Sequence, residues 1–393
     1  MRAHNINLPD GETIFVGIDM HQRQWRITIR TVEVEFLSAG IPGDWQSLRH
    51  SLERYHGHPI EVVYEAGCFG YWLHDRLVEF GARCIVTPPS LIPQESGNRV
   101  KTDKRDSRKL ALLLAKGMLK RVYVPTPQER DQRAVVRRRR QLIRERVRTQ
   151  NRIKAELRFY GIRLPESTER WSKLYVENLS RIRFSTRWQQ ESFESLLAQY
   201  EFFTKQIERQ TKLLRSLSQT AEYRERVQIL QSIPGVGLIA AMEMLLELQD
   251  VARFRRADQL AAYVGLTPAQ HSSGDVVRMG RITRSGKNSL RGTLVEAAWR
   301  MASKDSAMRK QYEQLKARAG AKRAIVAVAR RLLLRARRML LFLTQQQCPE
   351  FPVTPSPTRA PTHPAGADLC IYVLARHKAF VKRGALYFCK FLP

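Results

Sequence analysis

Apolar spacing along the chain switches between strand-like and helical periods, and the switch points divide it. Residues 14–19, IFVGID, form a short apolar run that predicts a buried strand ending at Asp19. Residues 25–36, WRITIRTVEVEF, alternate apolar and polar positions and predict one or two further strands, or a hairpin. At 44–55, DWQSLRHSLERY, the period becomes helical through Trp45, Leu48 and Leu52, with Asp44 as N-cap. IEVVYEAG (60–67) predicts a second buried strand, ending at Glu65 before a glycine. YWLHDRLVEFG (71–81) predicts a helix closed by Gly81, and RCIVTPP (83–89) a strand stopped by proline. Strands followed by helix–strand alternation indicate an α/β domain with a mixed sheet over residues 1–127.

A helix opens next in KTDKRDSRKLA (101–111), where Asp103 and Asp106 stand one turn apart on one face among Lys101, Lys104, Arg105, Arg108 and Lys109. After Pro125 and Pro127, the run from 129 to 160 lacks glycine and proline and is long enough for one extended helix. Val136, Ile143, Gln150 and Leu157 recur every seven residues, with Val147 and Ile153 between them, a weak coiled-coil seam. Helical spacing returns through 166–220 after a break at Pro165, so residues 128–220 read as an antiparallel helical arm suited to self-association. Two apolar helical stretches flank PGVG (234–237), which reads as a helix–hairpin–helix or an ordinary helical turn. In the former, Gly235 and Gly237 let backbone amides at a helix N-terminus meet a phosphate. A short helix ends near Gly265, a polar loop spans 267–288, and helices resume to about 345 as a C-terminal domain (221–345). Residues 349–366 hold six prolines in eighteen positions, and the tail 346–393 is expected to be extended and disordered.

Charge narrows the partners. The 393 residues carry 68 Lys and Arg against 37 Asp and Glu, a net +31, an imbalance that a polyanion would neutralise. Residues 101–160 alone hold 20 basic and 6 acidic residues, with Arg137, Arg138, Arg139 and Arg140 consecutive. Those four, with Gly235, Gly237, Arg278, Arg281 and Lys287, are the candidate nucleic-acid contacts. No stretch approaches the ~18–20 apolar residues of a membrane span. The first residues lack the apolar core of a signal peptide, so the expected location is cytoplasmic and nucleoid-associated. Five scattered cysteines without a CxxC argue against a zinc or disulfide framework.

Candidate chemistry lies in acids and one loop. Asp19 and Glu65 each end a predicted strand, and either could also be a helix cap or a surface acid. Gathering them with Asp103 and Asp106 is costly without a counter-ion, since unit charges about 4 Å apart repel by roughly 4 kcal/mol at an effective dielectric of ~20. A divalent cation, Mg²⁺ or Mn²⁺, would neutralise such a set. The loop 267–288 carries Ser272 and Ser273 before Gly274, then Arg278, Arg281, Arg284 and Lys287. Most loop serines are hydrophilic filler, but one ringed by cations is a candidate nucleophile.

The four acids arranged in this way resemble a ribonuclease H-type nuclease core. More specifically, VGIDMH, YEAG, KTDKRDSRKLA, LQSIPGVG, LAAYVGLTPAQHSSG and GRITRSGKNSLR, in that order over residues 14–345, resemble the blocks of the IS110 family of insertion-sequence transposases. The resemblance implies a RuvC-like DEDD domain carrying Asp19, Glu65, Asp103 and Asp106, and a C-terminal transposase domain with a catalytic serine at Ser273. Ser272 is the neighbouring alternative. It further implies site-specific recombination of donor and target double-stranded DNA through a circular intermediate. A structured bridge RNA would guide a homo-oligomer, dimer or tetramer. Two other readings compete: a RuvC-like Mg²⁺-dependent nuclease in which water attacks, and a non-enzymatic nucleic-acid-binding scaffold.

Overall fold

A computed structural model describes residues 9, 11–93, 103–163, 171–270, 279–283 and 286–347. The chain divides into two compact units, with the division between Arg138 and Arg139.

The first unit is built on a five-stranded sheet. Its strands are β1 (Ile14–Met20), β2 (Gln24–Arg30), β3 (Glu35–Pro42), β4 (Ile60–Glu65) and β5 (Arg83–Thr87), in the spatial order β3-β2-β1-β4-β5. The β3-β2-β1 half is antiparallel, and β4 and β5 run parallel to β1. This mixed, ribonuclease H-like sheet has two covered faces. On one, Ile14, Val16, Ile18, Trp25, Ile27, Ile29, Val62 and Tyr64 pack against Leu48 and Leu52 of α1 (Trp45–Glu53) and Leu73 and Leu77 of α2 (Trp72–Glu79). Asp44 caps α1 as expected, its carboxylate accepting from the Ser47 N–H at 2.9 Å. On the other face lies α3 (Asp103–Ala115).

The stretch 31–36 departs from its alternating pattern. Thr31–Val34 is a turn, closed by the Thr31 N–H to the Val34 carbonyl at 2.9 Å and by the Val34 N–H to Thr31 Oγ1 at 3.2 Å. Val32 and Val34 are therefore more than half exposed, and the strand starts only at Glu35. Two local hydrogen bonds outweigh a strand preference at a sheet edge, where few neighbours reward pairing.

A single helix, α4 (Pro127–Phe159), continues across the division. In the second unit it is followed by α5 (Lys173–Ser180) and α6 (Arg187–Ser218). Arg139 Nε of α4 donates to Thr211 Oγ1 of α6 at 2.8 Å, while Ile153 and Leu157 share a cluster with Phe193 and Tyr200. Rising numbers on α4 meet falling numbers on α6, so the two helices are antiparallel. Val136, Ile153 and Leu157 of the expected seam are buried on α4, as are Arg133, Leu142 and Thr149; Ile143 and Gln150 are only half-buried, and Val147 is exposed. Leu142, Thr149, Ile153 and Leu157 follow one another at spacings of seven, four and four, a single helical face offset from the expected seam at its two middle positions.

The helices α7 (Arg224–Gln231), α8 (Leu238–Leu248), α9 (Ala257–Val264), α10 (Asn288–Lys304), α11 (Ser306–Ala319) and α12 (Ala321–Gln347) complete the second unit. Between α9 and α10 lies an antiparallel strand pair, β6 (Pro268–Gln270) and β7 (Met279–Ile282). Gly265 ends α9 in the left-handed conformation. Among the described residues no helix is long and apolar enough to cross a membrane. The tail beyond residue 347 lies outside the described residues.

Candidate active site

Strand register decides where the acids of the first unit fall. Ile14, Val16 and Ile18 face the α1–α2 core, so Phe15, Gly17 and Asp19 face α3. The parallel register pairs Gly17 with Val63 and Ile18 with Tyr64, which puts Asp19 and Glu65 side by side at the C-terminal ends of adjacent strands. Val63 packs with Leu110 and Leu114 of α3, so Glu65, two residues on, shares that face. Glu65 is exposed, and the Asp19 side chain is 19% exposed.

The α3 helix reaches this face because Gly17 has no side chain. A Cβ at Gly17 would lie 2.2 Å from the Ser107 carbonyl oxygen and 2.5 Å from the Ala111 nitrogen. Thr28 Oγ1 and Ser107 Oγ, both buried, share a hydrogen bond of 3.0 Å that fixes the helix along its axis. Leu110 and Leu114 cluster with Phe15 while Ser107 and Ala111 sit over Gly17, so α3 runs antiparallel to β1. Its first residue, Asp103, one turn before Ser107, therefore begins toward the strand end that carries Asp19. The Asp103 side chain lies outside the described residues; Asp106 is half-buried.

Neighbouring groups brace the strand ends. Asp19 Oδ2 lies 3.3 Å from His21 Nε2, and Trp25 Nε1 donates to the His21 carbonyl at 3.1 Å. Beyond Glu65, the Ala66 N–H donates to the Thr87 carbonyl at 2.8 Å, and the Tyr64 hydroxyl to the Gly70 carbonyl at 3.1 Å. Burial pushes the Tyr64 phenol well above its usual range, so it remains a hydrogen-bond donor. Burial likewise pushes the Cys84 thiol up to about 12, which leaves it unreactive. Of the basic residues flanking the helix acids, Arg108 is engaged with Glu35 of β3 at 2.6 Å.

The acid set fits a hard divalent cation in kind, since it offers carboxylate oxygens on rigid elements. Among the described residues no three His, Cys, Asp or Glu side chains are close enough together to hold a metal ion. Asp19, Glu65 and Asp106 thus make no complete three-ligand set by themselves.

In the second unit, Ser272, Ser273, Gly274 and Arg278 fall in 271–278, between β6 and β7, and with Arg284 they lie outside the described residues. Arg281 is exposed on β7. Lys287 turns inward: its Nζ is 3.6 Å from the buried Glu247. The four arginines of 137–140 divide similarly. Arg137 and Arg138 are exposed, but Arg139 is bonded to Thr211, and Arg140 pairs with the buried Glu243 and donates to Thr293 Oγ1 at 2.6 Å. Burial lowers the Arg139 guanidinium from its ordinary value. PGVG is a turn between α7 and α8. Gly235, at φ +89°, lies against α10, where a Cβ would be 2.6 Å from the Ala297 oxygen and the Met301 nitrogen. Its glycine requirement is therefore met by helix packing, whereas Gly237 is exposed at the start of α8.

Sequence reasoning missed Glu243 and Glu247. They sit four apart within the apolar run AMEMLLEL, which reads as core, and both are buried. Their spacing on an apolar helix was the available signal, because buried acids require partners elsewhere in the chain. Burial raises the Glu243 carboxyl, while the Thr293 hydroxyl, at 2.7 Å, and Arg140 draw it down.

Comparison with known proteins connects the two units. A DEDD-type model of the IS110 group, described as Transposase, matches residues 16–162, and one described as Transposase IS116/IS110/IS902 family matches residues 227–313. The protein y4qE of Sinorhizobium fredii, named as a transposase, is 31% identical over 304 residues, covering 74% of this chain and 72% of its own. The transposase for insertion sequence element IS1533 of Leptospira borgpetersenii is 27% identical over 60% of this chain and 70% of its own. That for IS1111A of Coxiella burnetii is 28% identical over 54% and 58%. With its acids on adjacent strand ends and these matches in both units, the chain belongs to the IS116/IS110/IS902 family of insertion-sequence transposases.

Proposed function

We propose that this transposase cuts and rejoins DNA by attack of Ser273 on a phosphodiester held at the acids of the first unit, with a structured guide RNA choosing the sites. The observation that carries this reading is the side-by-side placement of Asp19 and Glu65 on the face where α3 begins with Asp103. Such acids on separate elements repel one another, and a divalent cation at a phosphate-transfer site offsets that repulsion. A divalent cation (Mg²⁺ or Mn²⁺) held by Asp19, Glu65, Asp103 and Asp106 would supply charge neutralisation at the phosphate.

The protein's own groups account for the rest. Ser273 Oγ loses its proton as it forms a bond to phosphorus, and the displaced deoxyribose hydroxyl leaves with a proton. A hydroxyl from the new partner strand then attacks the same phosphorus, and serine recovers its proton. One phosphodiester is exchanged for another, so no nucleotide cofactor is consumed. Arg281 and the exposed Arg137 and Arg138 would hold nucleic-acid backbones, as would the amides at Gly237. Base pairing to the guide would select the sequence. The antiparallel α4–α6 arm is suited to assembling protomers, and the chain would act in the cytoplasm, at the nucleoid.

The test is a nicked duplex taken from the ends of the encoding element, incubated with the protein, its co-purified RNA and Mg²⁺. A denaturation-resistant protein–DNA adduct is expected. Linear nicked products without an adduct would overturn the serine step in favour of a RuvC-like nuclease, and no cleavage at all would favour a scaffold. Backbone contact also predicts steep salt dependence. If ~6 phosphates are neutralised, affinity falls about a thousandfold between 50 and 200 mM salt. A flat response in a binding titration would contradict the phosphate contacts.

A further inference from the structure

On α8 every residue from Ala241 to Leu248 is buried, and Glu247 is 2% exposed. A carboxylate so placed keeps its charge only where a cation or several donors reach it. Lys287 supplies one such cation, with Nζ 3.6 Å from Glu247 Oε2. Its position in the chain gives the pair its interest, because Lys287 ends the connection from β7 and immediately precedes α10.

That connection is pressed onto the end of α9. Gly286 has φ +89°, and a Cβ there would lie 2.1 Å from the Tyr263 carbonyl oxygen. The Lys287 N–H donates to the same carbonyl at 3.2 Å, and the Lys287 ammonium lies 5.8 Å from the Tyr263 ring centre. Arg291, one turn into α10, donates to the Val264 carbonyl at 3.1 Å and to Asn288 Oδ1 at 2.8 Å. Thr283, on the same leg, donates its N–H to the carbonyl of Thr267, which follows α9 on the opposite leg, at 3.0 Å. The leg next to α10 is thus tied to the C-terminal end of α9 and to the leg that follows α9. It is further tied, through one charge, to the core helix α8.

We propose that Glu247 is a positioning residue for strand cleavage: its buried carboxylate pins Lys287, and through it the leg from which Ser273 is presented. The inference rests on the Ser273 reading above. Lys287 then acts by holding the protein's own backbone, not a phosphate. A displacement of about 1 Å in a reacting group costs roughly a hundredfold in rate, so a loosened leg should slow attack while leaving DNA affinity alone.

The experiment uses the full chain with its RNA and the nicked duplex, and measures adduct formation at saturating DNA, DNA affinity and the thermal midpoint. Glu247→Gln, which keeps the shape and removes the charge, is expected to slow adduct formation about tenfold or more, with affinity within twofold. Lys287→Arg restores a cation and should keep the rate within about threefold. The double variant Glu247→Met/Lys287→Met removes both charges of the pair and should be as slow as Glu247→Gln, because the pair acts as one unit, with the thermal midpoint reporting whether it folds. Wild-type rates in both Glu247→Gln and the double variant would overturn the proposal. So would a loss confined to affinity, which would return Lys287 to a phosphate contact. Adduct formation that persists in Ser273→Ala removes the serine reading itself. An adduct that needs Ser273 but ignores Glu247→Gln removes only this inference.

Discussion

Asp19→Asn should lower DNA cleavage by roughly a thousandfold or more while leaving nucleic-acid binding intact. Asparagine matches aspartate in shape and still offers an oxygen to His21, 3.3 Å away. What it removes is one negative charge and one carboxylate oxygen at a strand end directed at the α3 face. Removing a negative charge near a phosphate leaves DNA affinity equal or slightly raised, so a fall in rate without a fall in affinity isolates chemistry from binding. Glu65→Gln should behave in the same way, because the register makes Glu65 the neighbour of Asp19. Glu61 is the internal control. It lies on the same strand and face as Glu65, but four residues back and paired to Arg83 at 2.6 Å. Glu61→Gln is expected to cleave normally. A Glu65→Gln protein that cleaves at the wild-type rate would break the link between strand ends and chemistry.

Gly17→Ala should be the most damaging single methyl in the first unit. The added carbon would lie 2.2 Å from the Ser107 carbonyl oxygen and 2.5 Å from the Ala111 nitrogen, and both obstacles are helix backbone. Neither β1, central in its sheet, nor α3 can yield without losing contacts. Lifting α3 opens the Val63–Leu110–Leu114 cluster and stretches the Thr28–Ser107 hydrogen bond. Overpacking of this kind costs about 3 kcal/mol, which for a unit of this size lowers the thermal midpoint by about 10 °C. Activity should fall further than stability, because the displaced helix begins at Asp103. Gly292→Ala is the contrast. That glycine lies inside α10, and an added methyl there would meet nothing within 4 Å, so alanine should raise stability by up to ~1 kcal/mol. Thermal denaturation of the two variants beside the wild type checks both signs. An unperturbed Gly17→Ala would mean that α3 does not lie against β1.

Much of the first unit was legible because its signals are local. Buried strands appear as apolar runs, and Asp19 and Glu65 stand where those runs stop. Only pairing could reveal that the two acids are neighbours, since the parallel register joins residues 46 positions apart in the chain. Gly17 carried a readable hint, a glycine within an apolar strand, which marks close backbone approach. The 25–36 stretch is the hairpin among its expected alternatives, and hydrogen bonds at Thr31 place its turn. The charge run at 137–140 misled in part. Composition cannot distinguish an arginine facing solvent from one satisfying a buried acid, and the partner of Arg140, Glu243, is about a hundred residues away. Glu243 and Glu247 were hidden for the matching reason, as acids inside a stretch whose neighbours all read as core.

The central claim is that the acids of the first unit and the hydroxyl of Ser273 serve one phosphate. Its most direct measurement is to trap the protein–DNA adduct on a nicked duplex, digest it, and identify by mass spectrometry the residue bonded to phosphate. This should be done in the wild type, Ser273→Ala, Ser272→Ala and Asp19→Asn. A phosphodiester on Ser273 is expected in the wild type and in Ser272→Ala, and no adduct in Ser273→Ala or Asp19→Asn. An adduct that survives Ser273→Ala, or one that forms at full rate in Asp19→Asn, would contradict the claim.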